Sequence, residues 1–90
     1  IKDVQNLTMS LEIDGKRMQT GNTNKMIFNM NFILSYLSNF MSLYPGDIIT
    51  TGTPPGVGMA MKPQQFLKVG NKLNLKIEGL GEQNTKVVAE

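Results

Sequence analysis

A short segment crowded with glycine, proline and threonine constrains this chain more than any other part of it. Residues 50–58 read TTGTPPGVG, with three glycines, two prolines and three threonines in nine positions. Glycine permits backbone angles and close approaches that other residues resist, whereas proline fixes φ and removes a donor. The segment predicts a rigid, irregular loop whose hydroxyl and N–H groups suit a small anionic ligand, although a tight connection without a ligand accounts for the same composition.

The spacing of these glycines argues against one common phosphate site. A P-loop has the pattern GxxxxGK[ST] and opens a helix. Here Gly58 is followed by Met59, and no lysine directly follows a glycine at the required distance. Nucleotide binding is therefore disfavoured.

Composition excludes several classes of function. The 90 residues carry nine basic and seven acidic side chains, for a net charge of +2, and the basic residues are scattered. Nucleic-acid binding would need a concentrated basic patch. The chain has no cysteine and no histidine, so it can house neither disulfides, a Cys/His zinc site, nor a Ser-His-Asp or Cys-His nucleophile of its own.

The same composition bounds the size and location of the protein. Ninety residues make at most one domain, and because the chain begins at Ile1 and soon enters a strand pattern, we expect it to be the C-terminal piece of something longer. No apolar run approaches the roughly 20 residues that span a bilayer, and the first residues do not resemble a signal peptide. We expect a cytoplasmic protein with neither nucleic-acid nor membrane partners.

Alternating apolar and polar residues predict most of the secondary structure. Leu7–Ile13 alternates as a half-buried strand does, and Asp14-Gly15 predicts a hairpin turn with a return strand over 16–19. Residues 20–25 are polar and predict a loop. Near the C-terminus, Leu73–Glu78 alternates again, and GLG at 79–81 turns the chain into a last strand over 82–88.

One helix is predicted between these strands. From Asn31, a plausible N-cap, apolar residues recur at helical spacing and predict a buried stripe of Phe32, Ile33, Tyr36, Leu37, Phe40 and Met41. YPG at 44–46 ends the helix, and residues 47–50 predict a short strand that delivers the glycine-rich loop. The chain is thus expected to be mostly β, an α+β fold with several antiparallel strands and one short amphipathic helix.

A series of motifs runs through nearly the whole chain. They are DVQNL at 3–7, GNT at 21–23 with MIF at 26–28, YLS at 36–38, PGDII at 45–49, TGTPPGVG at 51–58 and IEGLG at 77–81. In this order they closely resemble the C-terminal half of the fumarylacetoacetate hydrolase family. The resemblance implies that residues 1–90 are the C-terminal portion of a single catalytic domain with a mixed β-sheet fold.

The resemblance also implies an activity. Members of the family act on small 2-oxo or 1,3-diketo acids with a bound Mg²⁺ or Mn²⁺ ion, and homodimers are common among them. The sequence looks most like the branch of 2-hydroxyhepta-2,4-diene-1,7-dioate isomerases, catechol-pathway hydratases, ureidoglycolate lyase-like proteins and acylpyruvate hydrolases. The reaction is hydrolysis, isomerisation, hydration or decarboxylation, and the resemblance leaves both the choice and the substrate open.

Functional residues carry over only in part. The family's metal ligands, a Glu-x-Glu pair and a later aspartate, and its catalytic lysine all precede the point where this chain begins. We therefore assign no catalytic and no metal-binding residue in this chain. We expect residues 1–90 alone to be inactive. What does carry over is Thr53, which in the family hydrogen-bonds the substrate's carboxylate end, and Gly52, which lets the backbone approach beside it.

Other candidates have simpler explanations. Glu12 and Asp14 are two residues apart on a strand and would point to one face, but Asp14 fits a turn and Glu12 a solvated position, so we do not assign a metal site to them. Asn22 and Thr23 are minor site candidates, and Met59 and Met61 either line a substrate cavity or lie in a surface or subunit contact. A non-catalytic role as a folding or subunit-contact module remains the alternative function.

Overall fold

A computed structural model describes residues 1–90. Four strands, β1 (Thr8–Ile13), β2 (Lys16–Asn22), β3 (Lys72–Ile77) and β4 (Gly81–Lys86), form one sheet. Their order is β2-β1-β3-β4, and every neighbouring pair is antiparallel. With a single α-helix besides, this architecture confirms the mostly β fold class.

The first hairpin follows the sequence prediction and then extends beyond it. Asp14 and Gly15 both have positive φ, 52° and 80°, as a tight two-residue hairpin turn requires. The expected loop over residues 20–25 is wrong in its first half, because β2 continues to Asn22. Gly21 stays in the strand because it pairs with Met9 of β1, so sheet pairing outweighs the weak strand propensity of glycine.

The sheet has one apolar and one polar face. Directly opposed residues of antiparallel strands share a face, and Leu11 of β1 faces Leu75 of β3. The pairs Met9–Ile77 and Ile13–Leu73 lie on that same side. On the other side, Asn74 donates to Glu82 and Asn84 of β4. The apolar side chains of β1 and β3 therefore lie on one face of the sheet.

The helix, α1, spans Met30–Ser38 and begins two residues earlier than expected. The N-cap is Asn29 rather than Asn31, since the Asn29 side chain accepts a hydrogen bond from the Phe32 N–H at 2.8 Å. The predicted buried stripe is wrong within this chain. Tyr36 is 55% exposed and Phe40 is 68% exposed, while Ile33 and Leu37 are half-buried. No strand of this chain covers the helix.

The predicted strand over residues 47–50 is also not formed. These residues have no strand partner among residues 1–90, and Ile48 is 93% exposed. An alternating or apolar run becomes a strand only where another strand supplies its hydrogen bonds. The predicted C-terminal hairpin is confirmed, with β4 ending at Lys86 instead of Val88.

Apolar side chains are mostly half-buried or exposed in this chain. Thr23, 6% exposed, is the single fully buried residue, and no hydrophobic side chain reaches that level. None of the helices combines the length and the hydropathy that crossing a membrane would need.

Candidate functional site

The glycine-rich segment over residues 50–58 forms an irregular loop, as its composition predicts. It contains no strand, and a short 3-10 helix, Gly58–Ala60, begins at its last residue. Gly52 and Gly56 have φ of +94° and +107°, a region that other residues rarely adopt. The loop therefore depends on glycine at both positions.

Two of the loop glycines also allow close backbone packing. A Cβ atom at Gly56 would lie 1.9 Å from the Met18 carbonyl oxygen of β2, and one at Gly58 would lie 1.7 Å from the Gln65 carbonyl oxygen. Both distances are far inside van der Waals contact. At Gly52 a Cβ atom would meet no neighbour within 4 Å, so that glycine serves conformation rather than packing.

Residues of strand β2 pack against the loop and hydrogen-bond to it. Gly21 leaves room for the Pro54 ring, since a Cβ atom there would lie 2.9 Å from the Pro54 Cβ. Two residues earlier, the Gln19 side-chain amide donates to the Thr53 hydroxyl and to the Pro54 carbonyl oxygen, each at 2.8 Å. Two positions of one strand, Gln19 and Gly21, thus hold the Gly-Thr-Pro corner.

Thr53, the leading substrate-binding candidate, is exposed at this corner. Its hydroxyl oxygen accepts the hydrogen bond from Gln19 and lies 3.5 Å from the Pro54 carbonyl oxygen. The N–H groups of Gly52 and Thr53 donate to no backbone carbonyl of the chain. An exposed hydroxyl and two adjacent backbone amides of one loop form a donor set that suits a carboxylate.

A cavity of about 830 Å³ lies between the apolar sheet face and the segments that follow the corner. Leu11, Met18 and Gln19 of the sheet line it, together with Gly56–Gly58 and residues 64–68. Thr53 is not among its lining residues, although its partner Gln19 is. The corner therefore stands beside this cavity and does not form its wall.

The acidic residues do not assemble into a metal centre. Glu12 pairs with Arg17 at 3.3 Å. The Asp14 carboxylate accepts hydrogen bonds from the Lys72 N–H at 2.8 Å and from the Asn71 side chain at 2.7 Å, and these bonds lower the pKa of Asp14. No group of three acidic side chains converges anywhere in the structure. The side chains of this chain do not fit a divalent cation, and we derive no chemical step through one.

The minor candidates do not join Thr53. Asn22 caps the 3-10 helix Thr23–Lys25 by accepting from the Asn24 N–H, and buried Thr23 bonds the Leu7 backbone through its hydroxyl. Both therefore have structural roles. Met59 is 65% exposed, and neither it nor Met61 lines the large cavity.

Gln19 is the residue that sequence reasoning missed. It lies 34 residues before Thr53, so no local motif joins the two. A weak signal existed, because Gln19 pairs with Leu11 and so places an amide on the apolar face of the sheet.

Comparison with known proteins gives a family for this arrangement. The model of the C-terminal part of fumarylacetoacetate (FAA) hydrolase matches residues 1–88. A 2,4-didehydro-3-deoxy-L-rhamnonate hydrolase of Sphingomonas sp. strain SKA58 is 52% identical over 88 residues, covering 97% of this chain and 31% of that protein. The chain spans about 30% of the length of the curated relatives it matches.

Solved structures show the same fold. Fumarylacetoacetate hydrolase from the psychrophile Exiguobacterium antarcticum superposes with a TM-score of 0.92 at 36% identity, covering 98% of this chain and 32% of that one. Fumarylpyruvate hydrolase from Pseudomonas aeruginosa, solved with Mn²⁺ and pyruvate, has a TM-score of 0.81 at 34% identity, covering 96% of this chain and 34% of that one. Relatives of this chain thus include hydrolases, and the fumarylpyruvate hydrolase structure contains a divalent metal together with an oxo acid.

Proposed function

This chain belongs to the fumarylacetoacetate hydrolase family, and we propose that it is the substrate-carboxylate part of a divalent-metal-dependent enzyme for a small 2-oxo or 1,3-diketo acid. The family match over residues 1–88 supports the class of reaction. The observation that carries the role of this part is the exposed Thr53 hydroxyl, held by Gln19 at the Gly-Thr-Pro corner.

The chemistry of the corner favours an anionic group. A carboxylate only accepts hydrogen bonds, and the corner offers one hydroxyl and two backbone amides as donors. Hydrogen bonds to a charged partner are stronger than those between neutral groups, because the charge of the partner adds to the attraction. The corner can therefore orient one end of an oxo acid without a formal positive charge.

The metal belongs to the proposed enzyme and not to these ninety residues. The fumarylpyruvate hydrolase structure from Pseudomonas aeruginosa contains Mn²⁺ and pyruvate. The acidic side chains of this chain are spread too far apart to provide its ligands. In the proposed enzyme, Mg²⁺ or Mn²⁺ would supply the positive charge for enolate chemistry, and this chain would hold the substrate in position.

A turnover assay tests this proposal. The intact protein is supplied with Mn²⁺ or Mg²⁺ and a panel of acylpyruvates and oxaloacetate, and kcat/KM is compared with that of a Thr53→Ala variant. Loss of one orienting hydroxyl should cost about 1–3 kcal/mol of transition-state stabilisation. Thr53→Ser, which keeps the hydroxyl, should retain most of the activity.

The alternative is a non-catalytic folding or subunit-contact module. It is favoured if the intact wild-type protein turns over no member of the panel with either metal. Turnover that Thr53→Ala leaves unchanged would keep the enzyme class and remove the role of the corner. The two results separate the family-level proposal from the residue-level one.

A further inference from the structure

The Gln19 side chain occupies a position where an apolar residue would be expected. It lies on β2 directly opposite Leu11, is half-buried, and therefore shares the face that carries the leucine and isoleucine side chains of β1 and β3. A half-buried amide is costly unless its donors are paired. Both protons of the Gln19 amide nitrogen are paired, one with the Thr53 hydroxyl oxygen and one with the Pro54 carbonyl oxygen.

These two bonds determine which way the Thr53 hydroxyl can donate. Its oxygen accepts from Gln19 at 2.8 Å, so its own hydrogen must point elsewhere. The bond that it donates, to the Pro54 carbonyl oxygen, is long at 3.5 Å, and that oxygen already accepts from Gln19. An O–H donor normally lies about 2.7–2.8 Å from its acceptor, so this contact leaves the hydroxyl hydrogen free for another partner.

We propose that Gln19 is a positioning residue that turns the Thr53 hydroxyl into a donor aimed at the substrate carboxylate. This inference rests on the proposed function, because it assigns that carboxylate as the acceptor. Gln19 donates to the oxygen of the Thr53 hydroxyl. By donating to the Pro54 carbonyl oxygen as well, it fixes the backbone of the residue that follows Thr53. It need not touch the substrate.

The inference distinguishes two substitutions of Gln19. Gln19→Ala removes the hydrogen bonds and should raise KM by roughly 2- to 10-fold with a smaller change in kcat, because a carboxylate contact is made in both ground and transition states. Gln19→Glu has almost the same shape, but its ionised carboxylate accepts only, so it draws the Thr53 hydrogen toward itself and repels the substrate. We expect a loss of roughly 10- to 100-fold in kcat/KM.

The pH dependence of Gln19→Glu gives a readout that a packing role would not produce. A glutamic acid protonates near pH 4.3 and then regains an O–H donor. The ratio of variant to wild-type kcat/KM should therefore rise as the pH falls toward that value. A variant that was impaired only by altered packing would show a ratio independent of pH.

A double-mutant cycle with Thr53→Ala tests whether Gln19 acts through Thr53. If it does, Gln19→Ala should have almost no further effect on KM once Thr53 is alanine, so the two losses should not multiply. Gln83→Ala on β4 is the matched control, since it makes the same chemical change at the far edge of the sheet, with β1 and β3 between it and β2. Circular dichroism and urea unfolding of each variant identify any that fail to fold.

The outcomes separate this inference from the proposed function. Non-multiplying losses together with a pH-dependent Gln19→Glu ratio support it. An active wild type with a damaging Thr53→Ala but a harmless Gln19→Ala, or with losses that multiply fully, overturns the inference and leaves the proposed function intact. A wild type with no turnover overturns both.

Discussion

The glycine-rich loop over residues 50–58 and the helical segment differ in how far their sequence patterns are matched by contacts within this chain. The loop is held within this chain by two hydrogen bonds from Gln19 and by close packing of Gly56 against Met18. The helical segment has a regular apolar pattern, yet Phe32, Tyr36 and Phe40 are at least half exposed, and the Tyr36 ring lies against the rings of the other two. Specific polar and backbone contacts therefore shape the loop, whereas apolar periodicity alone does not create a buried face.

The largest expected effect comes from disrupting the glycine-rich loop over residues 50–58. Gly56→Ala would place a methyl group against the Met18 carbonyl oxygen at a backbone φ of +107°. We expect a loss of about 2–3 kcal/mol in the free energy of unfolding, measured with urea. Gly52→Ala is the control, because its φ is also positive but its surroundings are open, and it should lose about 1 kcal/mol. Equal losses would show that close packing does not hold the loop.

A smaller effect is expected on the helical side of the comparison. Tyr36 lies between the rings of Phe32 and Phe40, with centroids 6.1 Å and 5.1 Å away. Tyr36→Ala should cost about 1 kcal/mol of unfolding free energy, since ring contacts at an exposed site contribute little more. Ser35→Ala on the same helix is the control. A loss of about 3 kcal/mol or more would mean that the stripe is buried in the protein and would weaken the comparison.

The smallest effect concerns the turn between β1 and β2, where Asp14 is hydrogen-bonded to the start of β3. Hydrogen bonds from Lys72 and Asn71 lower the pKa of Asp14. A carboxyl with a lowered pKa stabilises the fold above its unfolded pKa, about 3.9, and loses that contribution as the pH falls through its folded pKa. We expect slightly faster hydrogen exchange at the Lys72 amide below that folded pKa.

Asp14→Asn serves as the matched control for this pH effect. Asparagine tolerates the positive φ of 52° and keeps one acceptor oxygen, but it does not titrate in this range. The acid-induced change at the Lys72 amide should be absent in this variant. An unchanged acid response would assign the effect to another carboxyl group.

Local patterns predicted the parts of the fold that depend on neighbours in sequence. The alternation in β1 and β3 and the Asp14-Gly15 turn each carry their own signal, and all are present. The strand expected over residues 47–50 failed because strand formation requires a partner, which this chain does not supply to those residues. The helical stripe failed for the same reason, since a pattern specifies a face but not what covers it.

The candidate site was predictable only in part. The loop composition identified an irregular, glycine-dependent backbone, and the family resemblance singled out Thr53. The support from Gln19 and Gly21 depends on β2 lying under the loop, which follows from tertiary packing. Gly21 and Gln19 carry no motif that separates a loop support from an ordinary strand residue.

The most direct test of the account is a crystal structure of the intact protein with Mn²⁺ and pyruvate. The account predicts that the Thr53 hydroxyl oxygen lies about 2.7 Å from a pyruvate carboxylate oxygen, with the Gln19 amide still donating to it. A pyruvate carboxylate bound beyond hydrogen-bond distance of Thr53, or a Thr53 hydroxyl turned away from it, would contradict the central claim.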